Sequence, residues 1–341
     1  MNFTSPAILV VGPSWVGDMV MAQSLFKLLK RRIPECGIDV VAPAWSHPIV
    51  QRMSEVRDSY ALDVKHGEGG IGKRYRLGKQ LRSKAYTQAI VLPRSWKSAL
   101  VPFFADIPRR TGFIGEMRYG LLNDIRLFDK VYLDQTVKRL SYLGLDKDTD
   151  ELSLFQPSLD IDAHNTQRCM AELGLDYDRF TVALLPGAEY GPAKQWPANH
   201  CAALVKQVEQ AGAQTWLLGS EKDRDFAQEI INQAGGVGTN VCGKTQIADA
   251  IDLIGRADVA VANDSGLMHV AAAVGTRVVA IYGSSSPEFT PPLSENIAMN
   301  WLQLDCSPCF KRHCRFGHYN CLNNISVETV LGQLRIKHQE F

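Results

Sequence analysis

An apolar run from Ala7 to Val11 is closed by Gly12-Pro13, apolar residues then recur at helical spacing from Met19 to Arg32, and a second strand-like run, apolar but for Asp39, spans Ile38 to Ala42. This strand–helix–strand order leaves the chain few options. Short strands that are apolar throughout are buried on both faces, and strands joined through a helix run parallel. The crossover is right-handed, which removes most remaining topologies. Ala89–Leu92 and Lys130–Leu133 read as further strands of this series.

The pattern then starts again. An acidic stretch, 146–162, holds Pro157 and reads as the approach to a linker, and His164–Gly174 reads as a helix. A strand at Phe180–Leu185, a Pro-Gly loop, a helix at Ala198–Ala211 and a strand at Thr215–Leu218 follow. Later come a strand at Val259–Ala262, a short Ala-rich helix and a strand at Arg277–Tyr282. A chain of 341 residues is long for one core and comfortable for two. The expected architecture is α/β: two doubly wound Rossmann-like domains, 1–165 and 166–341, facing across a cleft, with the last helix free to cross back to the first. Ligands of such sheets bind outside the carboxyl ends of the strands.

No apolar run approaches the ~20 residues that span a bilayer, and the first residues lack the layout of a secretory signal, so the expected location is the cytoplasm. The net charge of +1 hides an asymmetry: residues 1–140 hold 22 Lys and Arg against 12 Asp and Glu, and the remainder 15 against 24. A basic half implies an anionic partner or a solvated face rich in cations. Cations concentrate in 65–118, opposed only by Glu68, Asp106 and Glu116, and Trp96, Phe103 and Phe104 lie among them. Arg94, Lys97, Arg109, Arg110 and Arg118 are the candidates for holding an anionic, partly lipidic acceptor. The same mixture suits peripheral contact with a membrane surface.

The residues that carry chemistry sit where strands end. Asp264-Ser265-Gly266 follows the Val259–Ala262 strand and opens a helix. Asp264 or Ser265 there is an ordinary helix cap. The backbone N–H groups at Ser265 and Gly266 also suit a phosphate, and a carboxylate beside them suits sugar hydroxyls, which together describe a nucleotide sugar. His269 lies four residues after Ser265 on the same helix face. In the loop LLPGAEYGPAKQWP, Lys194 is the only cation. It is either a surface lysine or a point charge for a departing diphosphate. Glu221, at the end of the next strand, is placed like the carboxylates that bind ribose hydroxyls. No Gly-x-Gly-x-x-Gly follows either opening strand, which disfavours a hydride-transfer cofactor. In the first half, Gly17-Asp18 opens a helix just past a strand, where Asp18 is a cap or a general base for an acceptor hydroxyl. Cys306, Cys309, Cys314 and Cys321 begin with a zinc-like spacing. A structural zinc, packed reduced thiols and a redox pair all remain open for them.

Taken together, these motifs resemble the family of ADP-heptose:lipopolysaccharide heptosyltransferases over nearly the whole chain. The marks are the Gly17-Asp18 helix start, Lys194-x-Trp196-Pro197 and Asp264-Ser265-Gly266-x-x-His269. Arg94–Leu100 and the cysteine segment look more like the branch that adds the second heptose. The resemblance implies a GT-B glycosyltransferase of the inverting type that needs no metal or other cofactor for catalysis. It implies ADP-heptose as donor and heptosyl-Kdo2-lipid A as acceptor. The family's donor-binding positions fall on Lys194, Glu221, the region of Thr245, Asp264, Ser265, Gly266 and His269. Its proposed base falls on Asp18, and its partners do not include nucleic acid. Two rivals stand beside this reading. A GT-B sugar-nucleotide epimerase would need no acceptor, which leaves the basic half unexplained. A zinc-dependent nucleic-acid-binding protein would use the basic half and the cysteines, but no nucleic-acid-binding motif is visible.

Overall fold

A computed structural model describes residues 6–64, 68–146 and 151–336. The chain forms two compact units, Met1–Pro157 and Ser158–Phe341.

The first unit holds a six-stranded parallel sheet in the order β3-β2-β1-β4-β5-β6. Its strands are β1 (Ala7–Val11), β2 (Gly37–Ala42), β3 (Val56–Ala61), β4 (Gln88–Val91), β5 (Arg109–Phe113) and β6 (Asp124–Arg126). β1 is buried along its whole length and pairs with β2 on one side and β4 on the other. The helix Val16–Arg32 buries Val20, Met21, Leu25, Leu28 and Leu29, the apolar stripe read from its spacing. Sheet order reverses at β1, so the loops after β1 and β4 flank the switch point where open α/β sheets bind ligands.

The run Lys130–Leu133, expected as a strand, is a turn. The Asp129 carboxylate accepts from the backbone N–H of Val131 at 2.8 Å and of Tyr132 at 3.1 Å, and Leu133 N donates to Asp129 O at 3.0 Å. Such a side-chain bond offers the backbone an alternative to a ladder. The sheet continues instead through β5 and β6, which carry too many charges to look like strands. Arg109 and Arg126 both converge on Asp124 there, at 2.9 and 3.1 Å. Burial alone would raise the Asp124 carboxyl, but Arg126, Arg109 and Thr111 outweigh it and hold it down to about 2.

The second unit repeats the plan in the order β12-β11-β10-β7-β8-β9. Its strands are β7 (Thr181–Leu185), β8 (Gln214–Leu217), β9 (Thr239–Asn240), β10 (Val259–Asn263), β11 (Arg277–Ile281) and β12 (Ile297–Asn300), all parallel. Here the switch point lies between β7 and β10. The units divide after Pro157, earlier than the boundary at 165 expected from the sequence. The helix Ala163–Leu173 and its approach are fastened to the second unit: Leu159 N donates to Ala273 O at 2.9 Å, Asp162 N to Asp252 at 2.8 Å, and the Asn165 amide to Asp252 at 2.7 Å.

Candidate functional site

The neighbouring positions of β7 and β10 bring their outgoing loops together. The loop after β7 turns at Gly191, whose φ of +146° and whose closeness to the Arg312 carbonyl both exclude a Cβ. A single turn of 3-10 helix, Pro192–Lys194, then presents Lys194. Its Nζ donates to Asp264 Oδ2 at 2.5 Å, with the Lys194 side chain 18% exposed and that of Asp264 4%. Thr290 Oγ1 lies 3.3 Å from the other carboxylate oxygen. Asn263, the residue before Asp264, holds the loop at both ends. Its side chain accepts from Trp196 N at 3.0 Å and donates to Pro186 O at 2.9 Å. Ser265 stands at the N-cap of the helix Gly266–Ala273 and makes no side-chain cap bond, so the first N–H groups of that helix remain for a ligand.

His269 is buried in this helix. Burial is the largest effect on it; the Lys194 charge acts in the same direction, Asp264 opposes, and the ring is pushed down to about 4. It is therefore neutral at physiological pH. The shift has a stability consequence. An unfolded histidine takes a proton near pH 6.5, while the native ring refuses it until about 4. Stability is therefore lost as pH falls through this window, by up to roughly 3 kcal/mol from this residue. Urea titrations at pH 7.5 and 4.5 should show a smaller loss for His269→Gln than for the parent protein; equal losses would mean that His269 does not titrate in this way.

Glu221 and Thr245 follow the ends of β8 and β9. Ser220 and Asp223 form a capping box that fixes the turn carrying Glu221. Glu221 is exposed, pairs with Arg224 at 2.6 Å and lies over Gly243, where a Cβ would run into its carboxylate. Thr245, two residues beyond Gly243, is half-buried. Lys222 reaches Glu189 in the Lys194 loop at 2.6 Å, which ties the β8 end to the β7 end.

In the first unit, Asp18 occupies the first turn of the helix after β1, half-buried beside the switch point. Arg94 and Lys97 lie in the loop after β4. Arg94 stacks over Phe128 at 4.9 Å, and Lys97 Nζ is 3.5 Å from Glu68 O. The other three candidate cations serve the fold. Arg109 pairs with Asp124 and Asp146, and Arg110 donates to the carbonyls of Leu121 and Ile107 at 2.7 and 2.6 Å. Arg118 is 1% exposed and donates to Phe113 O, Pro93 O, Ser95 O and Ser98 Oγ. Burial, then the Arg94 charge, brings it down to about 10. It pins the loop after β4 from inside and presents no surface to an acceptor, a correction to the expectation for this residue. Counting charges along a sequence does not distinguish a solvated arginine from one satisfied by carbonyls.

The cysteine segment contributes through its backbone. Cys306, Cys309, Cys314 and Cys321 are free thiols of intermediate exposure. Burial and then the nearness of Cys306, Cys309 and Cys314 push Cys321 up to about 11. Among the described residues no group of three or more His, Cys, Asp or Glu is arranged to hold a metal ion. Cys309 N and Phe310 N both donate to Ser284 O at 3.0 and 2.7 Å, Tyr190 OH donates to Phe310 O at 2.7 Å, and Ala193 N to Arg312 O at 3.1 Å. The segment braces the Lys194 loop. Asn263, Tyr190 and Arg312 carry no mark in the sequence pattern that sets them apart, except that Tyr190 is an aromatic ring between Gly187 and Gly191.

The profile of Glycosyltransferase family 9 (heptosyltransferase) matches residues 74–320. The chain is 44% identical to the lipopolysaccharide heptosyltransferase 2 of Salmonella typhimurium over 96% of its length and 97% of that protein's, and equally so to the one from Escherichia coli. Its structure is similar to that of the E. coli ADP-heptose LPS heptosyltransferase II, with a TM-score of 0.85 and 42% identity over 96% of this chain and 97% of that one. A family 9 glycosyltransferase from Veillonella parvula, 19% identical, shares the fold with a TM-score of 0.83 over 98% and 97% of the two chains.

Proposed function

The chain belongs to glycosyltransferase family 9, the heptosyltransferases, and on that premise we propose which groups it uses for donor, acceptor and chemistry. The fold is GT-B, and the reaction is heptose transfer in lipopolysaccharide core biosynthesis. In this reading ADP-heptose binds the second unit. The observation that carries it is the Lys194–Asp264 pair beside the uncapped start of Gly266–Ala273. Backbone N–H groups at Ser265 and Gly266 take diphosphate oxygens, and Asp264 takes donor hydroxyls. His269 adds a hydrogen bond without adding charge, and Glu221, with the region of Thr245, takes the ribose side.

The acceptor is heptosyl-Kdo2-lipid A. Asp18 removes the proton from the attacking hydroxyl. The new bond forms between that oxygen and the anomeric carbon, the carbon–oxygen bond to ADP breaks, and the configuration inverts. The charge that develops on ADP is met by Lys194 and the partial positive end of the helix, and this route requires no metal. Arg94 and Lys97 are the cations of the first unit best placed for the acceptor. Ile71, Tyr75 and Phe103 are exposed there, with Lys79 over Tyr75 and Arg110 over Phe103. These rings and cations support peripheral contact with an anionic membrane surface. No helix among the described residues is long and apolar enough to cross a membrane.

The test is ADP release from ADP-heptose in EDTA, with and without heptosyl-Kdo2-lipid A. Release that depends on acceptor is expected. Release without acceptor would indicate hydrolysis instead, and release abolished by EDTA would refute the metal-free route.

A further inference from the structure

The charged groups placed so far at the donor site cancel in pairs. Lys194 is matched by Asp264, Lys222 by Glu189 and Arg224 by Glu221, while His269 is neutral. The diphosphate of a nucleotide sugar carries two negative charges, and a helix start supplies about half a positive one. A site with this balance lacks a cation, and an anion taken out of water without one is strongly disfavoured.

The cysteine segment carries the missing charge to the right place. The Tyr190 ring receives two cations: Lys194 Nζ lies 5.2 Å from its centroid and Arg312 Cζ 5.3 Å. Two hydrogen bonds set this geometry. Tyr190 OH donates to Phe310 O at 2.7 Å, and Ala193 N donates to the carbonyl of Arg312 itself at 3.1 Å. The backbone of Arg312 is thus locked to the residue before Lys194, and the absent Cβ of Gly191 permits the approach. Arg312 is exposed, and among the described residues no carboxylate pairs with it. Two cations on one aromatic ring repel each other unless an anion joins them.

We infer that Arg312 is a second cation of the diphosphate site, held beside Lys194 by Tyr190 and by the backbone of the cysteine segment. The inference rests on the proposed ADP-linked donor. A planar guanidinium presents several donors at fixed angles and suits phosphate oxygens better than another lysine would. The cysteine segment then acts as the arm that delivers residue 312 to the loop.

The experiment compares ADP and AMP binding by calorimetry in the full-length protein and in Arg312→Gln and Arg312→Lys, with thermal unfolding of each. Arg312→Gln is expected to weaken ADP roughly 10- to 100-fold, to leave AMP and the unfolding midpoint unchanged, and to be partly rescued by Arg312→Lys. Unchanged ADP affinity in Arg312→Gln would overturn the inference. So would a parallel loss of ADP, AMP and thermal stability, which would make Arg312 only a brace. If the parent protein itself does not bind ADP, the donor assignment fails first and the inference with it.

Discussion

Replacing Asp18 by alanine is expected to lower kcat by roughly 10²- to 10⁴-fold, the usual loss for a positioned general base. That corresponds to about 3–5 kcal/mol of barrier. ADP affinity should stay unchanged, because the groups proposed for ADP belong to the second unit and Asp18 to the first. The cost in stability should be small by comparison. A carboxylate in the first turn of a helix contributes about 0.3–1 kcal/mol through the helix dipole. Asp18→Asn is the stricter version, since it keeps size and hydrogen-bonding reach while removing basicity. Steady-state kinetics with saturating acceptor, together with ADP calorimetry, separate the two effects. Normal turnover in either variant would remove Asp18 from the chemistry, and a matching loss of ADP affinity would make it a donor-binding group instead.

Lys194→Ala should fail more broadly. The lysine does two jobs: it meets charge on the donor, and it neutralises a carboxylate that is only 4% exposed. Removing one partner of a buried pair leaves an uncompensated charge, at a cost of about 3–5 kcal/mol. Lys194 is 18% exposed and water reaches the pair from that side, so the lower end of the range applies here. Folding stability should drop, ADP affinity should fall at least about tenfold, and turnover should fall with it. The double change Lys194→Met with Asp264→Asn separates these jobs. It should restore much of the stability and none of the ADP affinity. If the double variant bound ADP like the parent protein, the diphosphate would not lie on Lys194.

Much of this fold is legible in the sequence because its central strands are mostly apolar and buried from end to end. β1, β7 and β10 have every residue buried. The edges are harder to see. β5 begins with two arginines, and it becomes a strand because Asp124 on its neighbour accepts from Arg109 and Thr111. That partner is 15 residues from Arg109 in sequence, beyond the reach of any local pattern. The false strand at Lys130–Leu133 reverses the error: its apolar residues stand out, while the Asp129 side chain that captures two of their N–H groups leaves no mark on the hydropathy pattern. In the candidate site, Lys194, Asp264 and His269 can be picked out because they sit at strand ends and helix starts. Arg312 cannot, since its place depends on a backbone hydrogen bond to Ala193. Arg118 misleads because a buried arginine and a solvated one read alike.

The Asn263 side chain accepts at one end of the Lys194 loop and donates at the other, and Asn263 is joined by a peptide bond to Asp264. The loop from Pro186 to Trp196 is therefore a closed handle riveted to one strand end. When β10 drifts with thermal motion, the amine and the carboxylate drift together. Alignment error between them is set by one short amide rather than by the accumulated play of the whole excursion. A site built this way tolerates sway in the sheet beneath it, because the loop and the carboxylate move with the same strand end.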